Sequence, residues 1–280
     1  MLFHNPKLKY ALLVFRSFWH RKRLLNFYFS KTNISKFCSS DNFKKYPAKF
    51  TEFFREMAKN SRSQYGQDIF VIYMYKFHLA EKFLSLREDL NFVEFGATDG
   101  VNLSNTLILE RDYAWNGILV EPSKSWFRLL KKNRNCELDS RCVYSISGLQ
   151  LEFTETTVGS LSTLKKYLEI DFHERRLSGE SYFVETVSLD DLFLQHNTPK
   201  YIAYLSIDTE GSEWDIISNF NFESWNIGII TIEHNYTEVR NSIQKLLEAV
   251  GFVRVFSGIS ECDDWYVNTH IFENLELITG

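Results

Sequence analysis

Val93-Glu94-Phe95-Gly96-Ala97-Thr98-Asp99-Gly100 reads as a buried strand that ends in an acid and runs into a glycine-bearing turn. Asn91-Phe92 lead into it, and Ser104-Asn105-Thr106-Leu107-Ile108-Leu109-Glu110 follow with helical spacing, so the turn joins the carboxyl end of a strand to the start of a helix. In an open α/β sheet ligands bind at such a junction, because backbone N–H groups are unpaired there and glycine leaves room. About 20 residues further on, Gly117-Ile118-Leu119-Val120-Glu121-Pro122 is a second apolar run closed by an acid, the position from which a doubly wound fold takes up ribose hydroxyls. Two strands with one acid each imply a nucleoside-type cofactor.

A nicotinamide dinucleotide needs G-x-G-x-x-G to bring backbone against its pyrophosphate, and here Thr98 and Val101 stand at the second and third glycine positions. S-adenosylmethionine has no pyrophosphate and tolerates this looser turn. The chain has no G-x-x-x-x-G-K-[ST], which argues against a P-loop nucleotidase.

Several motifs in order resemble the FkbM-type S-adenosylmethionine-dependent methyltransferases. Ser63-Gln64-Tyr65-Gly66-Gln67-Asp68 is similar to that family's leading segment, and Glu94 to Gly100 with Ser104-Asn105-Thr106 and Leu109-Glu110 to its cofactor loop and following helix. Gly117 to Pro122 resembles its second strand, Leu205-Ser206-Ile207-Asp208-Thr209-Glu210-Gly211-Ser212-Glu213 its D-x-E-G-x-E segment, and Ile232-Glu233-His234-Asn235 its next strand end. The resemblance spans residues 63 to 270 and implies a Rossmann-like class I fold: a seven-stranded, mostly parallel sheet with helices on both faces and a final antiparallel strand. It also implies that Gln67 and Asp68 lie against the cofactor and that Ser147, after the third strand, reads the adenine edge.

The net charge of −4 hides a division: residues 1–62 hold 14 Lys+Arg against 3 Asp+Glu, leaving 18 against 33 for the remainder. Residues 1–60 therefore read as a basic, aromatic-rich extension and 61–280 as the methyltransferase domain. In the extension, Phe15, Phe18 and Trp19 alternate with Arg16, Arg21, Lys22 and Arg23. No apolar run there reaches the roughly 20 residues that span a bilayer, and Arg16 breaks the apolar stretch a signal peptide would need. Two readings stay open: an interfacial helix on an anionic membrane, or a helical extension that packs on the domain or is partly disordered. No nucleic-acid module accompanies the cations, so no nucleic-acid partner is expected. Cys38, Cys136, Cys142 and Cys262 show no zinc spacing and suit reduced thiols of a cytoplasmic protein, peripheral to a membrane if the first reading holds.

The periodicity predicts helices over 47–60 and 66–87, then strands over 92–95, 117–120, 141–147, 201–207, 227–232, 252–256 and 265–272. Between 148 and 199 two alternating runs, Leu151 to Thr154 and Ser181 to Val187, flank the polar stretch Ser160 to Gly179, which reads as a hairpin-bearing insertion, either a substrate lid or surface decoration.

For the site, Glu94, Gly96, Ala97, Asp99, Gly100 and Asn105 are expected around the methionine moiety, with amides toward its carboxylate and acids toward its ammonium; Asp99 alternatively caps the next helix. Glu121 is expected to accept both ribose hydroxyls, with Pro122 and Ser123 opening the following helix. Asp208 is expected to serve as general base or to contact the cofactor amine, with Glu210 beside it. His234 would take the hydroxyl proton or be structural. No metal ligand is assigned, although Asp208, Glu233 and Asn235 would make an oxygen set for Mg²⁺. The expected activity is S-adenosylmethionine-dependent O-methylation of a hydroxyl on a sugar, glycan or secondary metabolite. The alternative is a catalytically silent cofactor-binding or adaptor module at a membrane or protein partner.

Overall fold

The computed structural model describes residues 41–156, 159–168 and 179–279. Residues 1–40, on which the membrane reading rests, and 169–178, half of the polar part of the insertion, lie outside the described residues.

Chain order begins with a short 3-10 turn at Asp41–Lys45 and helices α1 (Ala48–Met57) and α2 (Gln67–Phe77). Strand β1 (Asn91–Phe95), α3 (Leu107–Tyr113), β2 (Asn116–Val120), α4 (Lys124–Asn133) and β3 (Glu137–Asp139) follow. A small four-stranded sheet then comes from β4 (Cys142–Val143), β5 (Gln150–Thr156), β6 (Thr163–Leu164) and β7 (Gly179–Val187). The chain closes with α5 (Leu189–Gln195), β8 (Tyr201–Ile207), α6 (Glu213–Ile217), β9 (Asn226–Glu233), α7 (Val239–Ala249), β10 (Phe252–Val255) and β11 (Asp263–Asn268).

The main sheet has the order β10-β11-β9-β8-β1-β2-β3, parallel throughout except for β11, which is antiparallel to both neighbours. This is the class I methyltransferase arrangement expected from the sequence. Successive residues of each central strand enter opposite layers. Phe92, Leu119, Tyr204, Ile229 and Trp265 join one core with α1 to α4. Val93, Val120, Leu205, Ile230 and Tyr266 join the other with α5 to α7. Strands buried on both faces show continuous apolar runs, which is why the sequence marks them so clearly.

Four boundaries differ from the sequence reading. The segment 141–147 supplies no strand to the main sheet; the three-residue edge strand Glu137–Asp139 takes that place, too short and polar to stand out, while Cys142–Val143 pairs with β7. The predicted helix 66–87 ends at Phe77, because the Ala80 N–H bonds to the Ile271 carbonyl and the chain continues as a 3-10 helix over Glu81–Glu88. The domain does not begin at 61: Phe43, Phe50 and Phe54 are fully buried, and the Phe50 ring stacks on Phe256 at 4.1 Å and meets Tyr73 edge-on at 4.9 Å. Finally, β5 and β7 form the expected hairpin, but β4 and β6 extend it into a sheet.

Candidate functional site

Strands β1, β2, β8 and β9 run parallel, so their carboxyl ends at Phe95, Val120, Ile207 and Glu233 share one edge. Because β11 runs the other way, its first residue Asp263 arrives at the same edge, paired with Glu233. Gly96 has φ +69°, and a Cβ on it would meet the Asp208 carbonyl oxygen at 1.9 Å, so only glycine lets the β1 turn and the end of β8 approach this closely. At Gly100 (φ +74°) a Cβ would press on Leu130 and Arg134 at 2.6 Å, which seats the turn on α4.

The turn's amides do not stand free. The N–H groups of Ala97, Thr98 and Gly100 bond to Val120 O, Glu121 Oε2 and Ala97 O. Those of Val101 and Asn102 bond to Asp99 Oδ1. Asp99 thus staples its own loop and does not cap the next helix, the alternative the sequence offered; that helix has Thr106 at its N-cap. Glu94 also differs from expectation: its carboxylate accepts the Asn105 N–H at 2.8 Å and the hydroxyls of Ser104 and Thr106. Arg134, its side chain fully buried, donates to Glu110, the Gly100 carbonyl, Ser104 and Thr106. Burial raises the Glu94 pKa, opposed by the Arg134 charge and these hydrogen bonds. Asn105 Nδ2 bonds to Ser206 Oγ at 3.0 Å, while its Oδ1 is buried with no hydrogen-bond partner.

Glu121 accepts the N–H groups of Thr98 and Ser123, both at 2.8 Å, and is 4% exposed. Burial pushes its pKa up to about 7. Pro122 links it to Ser123, whose Oγ caps α4 by accepting the Trp126 N–H.

In the leading segment, Gln67 donates from Nε2 to Asp263 Oδ2 at 2.7 Å, which ties α2 to the start of β11. Asp68 is wholly buried and accepts the hydroxyls of Ser61 and Ser63 and the Ile69 N–H. It closes its own turn rather than facing a ligand, and burial raises its pKa to about 6. Ser147 is drawn away to the start of α5, bonded to Ser188 and Asp191.

Beyond β8, Thr209 N, Thr209 Oγ1 and Gly211 N all donate to the Glu213 carboxylate, which fixes the loop at the head of α6. Asp208 and Glu210 sit on this loop, partly exposed, and with Glu233 each places a carboxylate oxygen within 4.8 Å of the others. Glu233 Oε2 is buried without a hydrogen-bond partner. Burial, then the charges of Asp208, Glu210 and Glu213, holds the Glu233 pKa well above the ordinary carboxylate range. Asp263 is pushed up to about 8 by burial and the Asp208 charge. The sequence reading missed Asp263 and Arg134. The first is brought to the site only by antiparallel pairing, and the second reads as one more cation of a surface helix.

His234 borders this group but faces elsewhere. Its Nδ1 accepts the Tyr236 N–H at 3.0 Å, and its Nε2 lies 3.8 Å from Asp264, itself held by Arg240. Burial lowers its pKa to about 4, so near neutrality the ring is uncharged with its one lone pair engaged. A cleft of about 50 Å³ opens between Glu210, Glu213, Glu233, Asn235 and Thr237. A larger depression of about 330 Å³ around Lys200, Phe222 and Trp225 lies at the amino ends of β8 and β9, across the sheet from these groups.

No curated protein matches the chain. Solved structures similar to it include a fibrillarin/Nop5p complex (16% identity, 73% of this chain and 79% of that one, TM-score 0.35). A methyltransferase FkbM from Methylobacillus flagellatus KT also aligns (10% identity, 84% and 59%, TM-score 0.39). So does the plantazolicin methyltransferase BpumL in complex with SAH (10% identity, 82% and 66%, TM-score 0.27). The assignment rests instead on the family comparison, in which the methyltransferase FkbM domain matches residues 94–263, more than half of the chain. The chain belongs to the FkbM methyltransferase family, whose methyl donor is S-adenosylmethionine.

Proposed function

We propose that the protein methylates a hydroxyl oxygen on a sugar, glycan or secondary metabolite. The observation that carries this reading is the carboxylate-lined cleft at the ends of β8 and β9, beside the β1 turn. Carboxylates accept hydrogen bonds from an alcohol and can take its proton as the oxygen attacks. A residue set of this kind orients an OH, whereas the imidazole of His234 has no free lone pair to offer.

Support for donor binding comes from unused acceptor capacity on the same edge. The buried Glu121 carboxylate, with two of its lone pairs engaged by amides, keeps others for ribose hydroxyls. The orphan Asn105 Oδ1 and the Asp208 carboxylate suit a cationic amine. Bound there, S-adenosylmethionine supplies an electrophilic sulfonium methyl. The chain's own residues have then to hold the acceptor oxygen in line, exclude water and receive one proton; Asp208 takes the proton, and Glu233, its own proton held by burial, helps to position the oxygen. Gln67 contributes by fixing Asp263 beside them.

The test is product analysis after incubation with isotopically labelled methyl donor and a cell extract. The expected product carries the label as an ether, stable to mild base. Label recovered on nitrogen or in a base-labile ester overturns the reading. Residues 1–40 would place such an enzyme on an anionic membrane carrying its acceptor; flotation with anionic liposomes should be lost when they are removed, and equal flotation of both proteins would remove this part.

A further inference from the structure

We propose that Asp208, Glu210 and Glu233 form a binding site for one hard divalent cation, Mg²⁺ or Mn²⁺, at the carboxyl ends of β8 and β9. The three carboxylates converge within 4.8 Å. An octahedral ion with oxygens at about 2.1 Å sets neighbouring ligands about 3 Å and opposite ligands about 4.2 Å apart, so the trio closes on it by small side-chain rotations. The second, independent sign is Glu233 Oε2. This oxygen has no hydrogen-bond partner and belongs to a residue only 8% exposed, the same side chain whose carboxylate meets those of Asp208 and Glu210. Buried polar oxygens are rarely left unpaired, and a carboxylate in this position without a cation is held against both desolvation and like charge.

The surroundings agree. Glu213 grips Thr209 and Gly211, so Asp208 and Glu210 are held in place before any ion arrives. The three converging donors are all carboxylate oxygens, which favours Mg²⁺ or Mn²⁺ over zinc. The adjoining cleft leaves a path for water ligands or an acceptor oxygen to complete the coordination. Glu210 replaces Asn235 in the oxygen set suggested by sequence, since the left-handed backbone at Glu210 (φ 61°) turns the loop back toward Asp208.

The proposal concerns the ion and does not depend on the nature of the methyl acceptor. Mn²⁺ titration of the full chain, with free Mn²⁺ followed by electron paramagnetic resonance, should show one saturable site that Mg²⁺ competes for. Glu210→Gln, in a partly exposed loop, and Glu233→Gln should each weaken Mn²⁺ binding by about tenfold or more, while the remote Glu248→Gln leaves it unchanged. Absence of saturable Mn²⁺ binding in the folded wild type overturns the proposal, as does wild-type affinity in Glu210→Gln, which decides the matter if Glu233→Gln fails to fold. Calorimetry with S-adenosylmethionine on the same samples separates this outcome from failure of the methyltransferase reading.

Discussion

Glu121 shows how one environment sets both affinity and its pH dependence. Replacement by Ala should weaken S-adenosylmethionine binding by about 1.5–3 kcal/mol, the worth of hydrogen bonds to a charged group. Calorimetry checks this, and an unchanged Kd would rule the residue out. Because burial places its pKa near 7, the carboxylate gains a proton just below neutrality and loses acceptor strength. Affinity should therefore fall about tenfold per unit of pH below that point, a slope absent in Glu121→Gln. At this scale the sequence was half legible. It located Glu94, Asp99, Glu121 and Asp208 as acids closing strands or turns. It could not say that Glu94 and Asp99 bind their own loop, since the deciding partner, Arg134, lies 40 positions from Glu94. Ser147 is drawn away by Ser188 and Asp191, 41 and 44 positions further on, whereas Asp68 is held by its near neighbours Ser61, Ser63 and Ile69.

Helix α1 belongs to the element scale. The sequence placed it in the basic extension, with packing on the domain left open, and Phe50 and Phe54 fill the same core as Tyr73 and Phe256. Phe50→Ala should lower unfolding free energy by about 3–5 kcal/mol, measured by denaturant titration, because a fully buried ring leaves a cavity that its neighbours fill only in part. A chain starting at residue 61 should melt far below one starting at 41. Composition averages over a window and cannot separate a solvated basic stretch from an amphipathic helix whose apolar side is claimed by a distant sheet. The central strands were legible for the opposite reason, since burial on both faces writes an uninterrupted apolar run.

At the scale of the whole molecule, five buried carboxyls among the described residues have raised pKa values; besides Glu94 and Glu233 these are Asp68 at about 6, Glu121 at about 7 and Asp263 at about 8. Each holds its proton more tightly folded than unfolded, so each contributes stability that is complete below about pH 4 and is lost as pH rises through the folded value. His234, lowered to about 4, acts in the opposite sense only below its unfolded pKa of about 6.5. From about pH 6.5 to about pH 9, Tm should therefore fall by several degrees, and Asp263→Asn should flatten the upper half of that decline. A Tm constant over this range would contradict the arrangement. The class I architecture was legible because alternation of strand and helix carries it. The convergence of Asp208, Glu210, Glu233 and Asp263 was not, since it depends on which strand ends share an edge.

Strand β11 lies between β9 and β10 although it follows both in the chain. During synthesis, β9 therefore emerges with one flank of donors and acceptors uncovered, and stays so until residue 268 leaves the ribosome. The parallel half of the sheet can assemble early, but the edge bearing Glu233 is sealed only at the finish. A nascent chain stalled before Asp263 would be a sticky, half-closed intermediate, a natural client for chaperones that shield exposed strands.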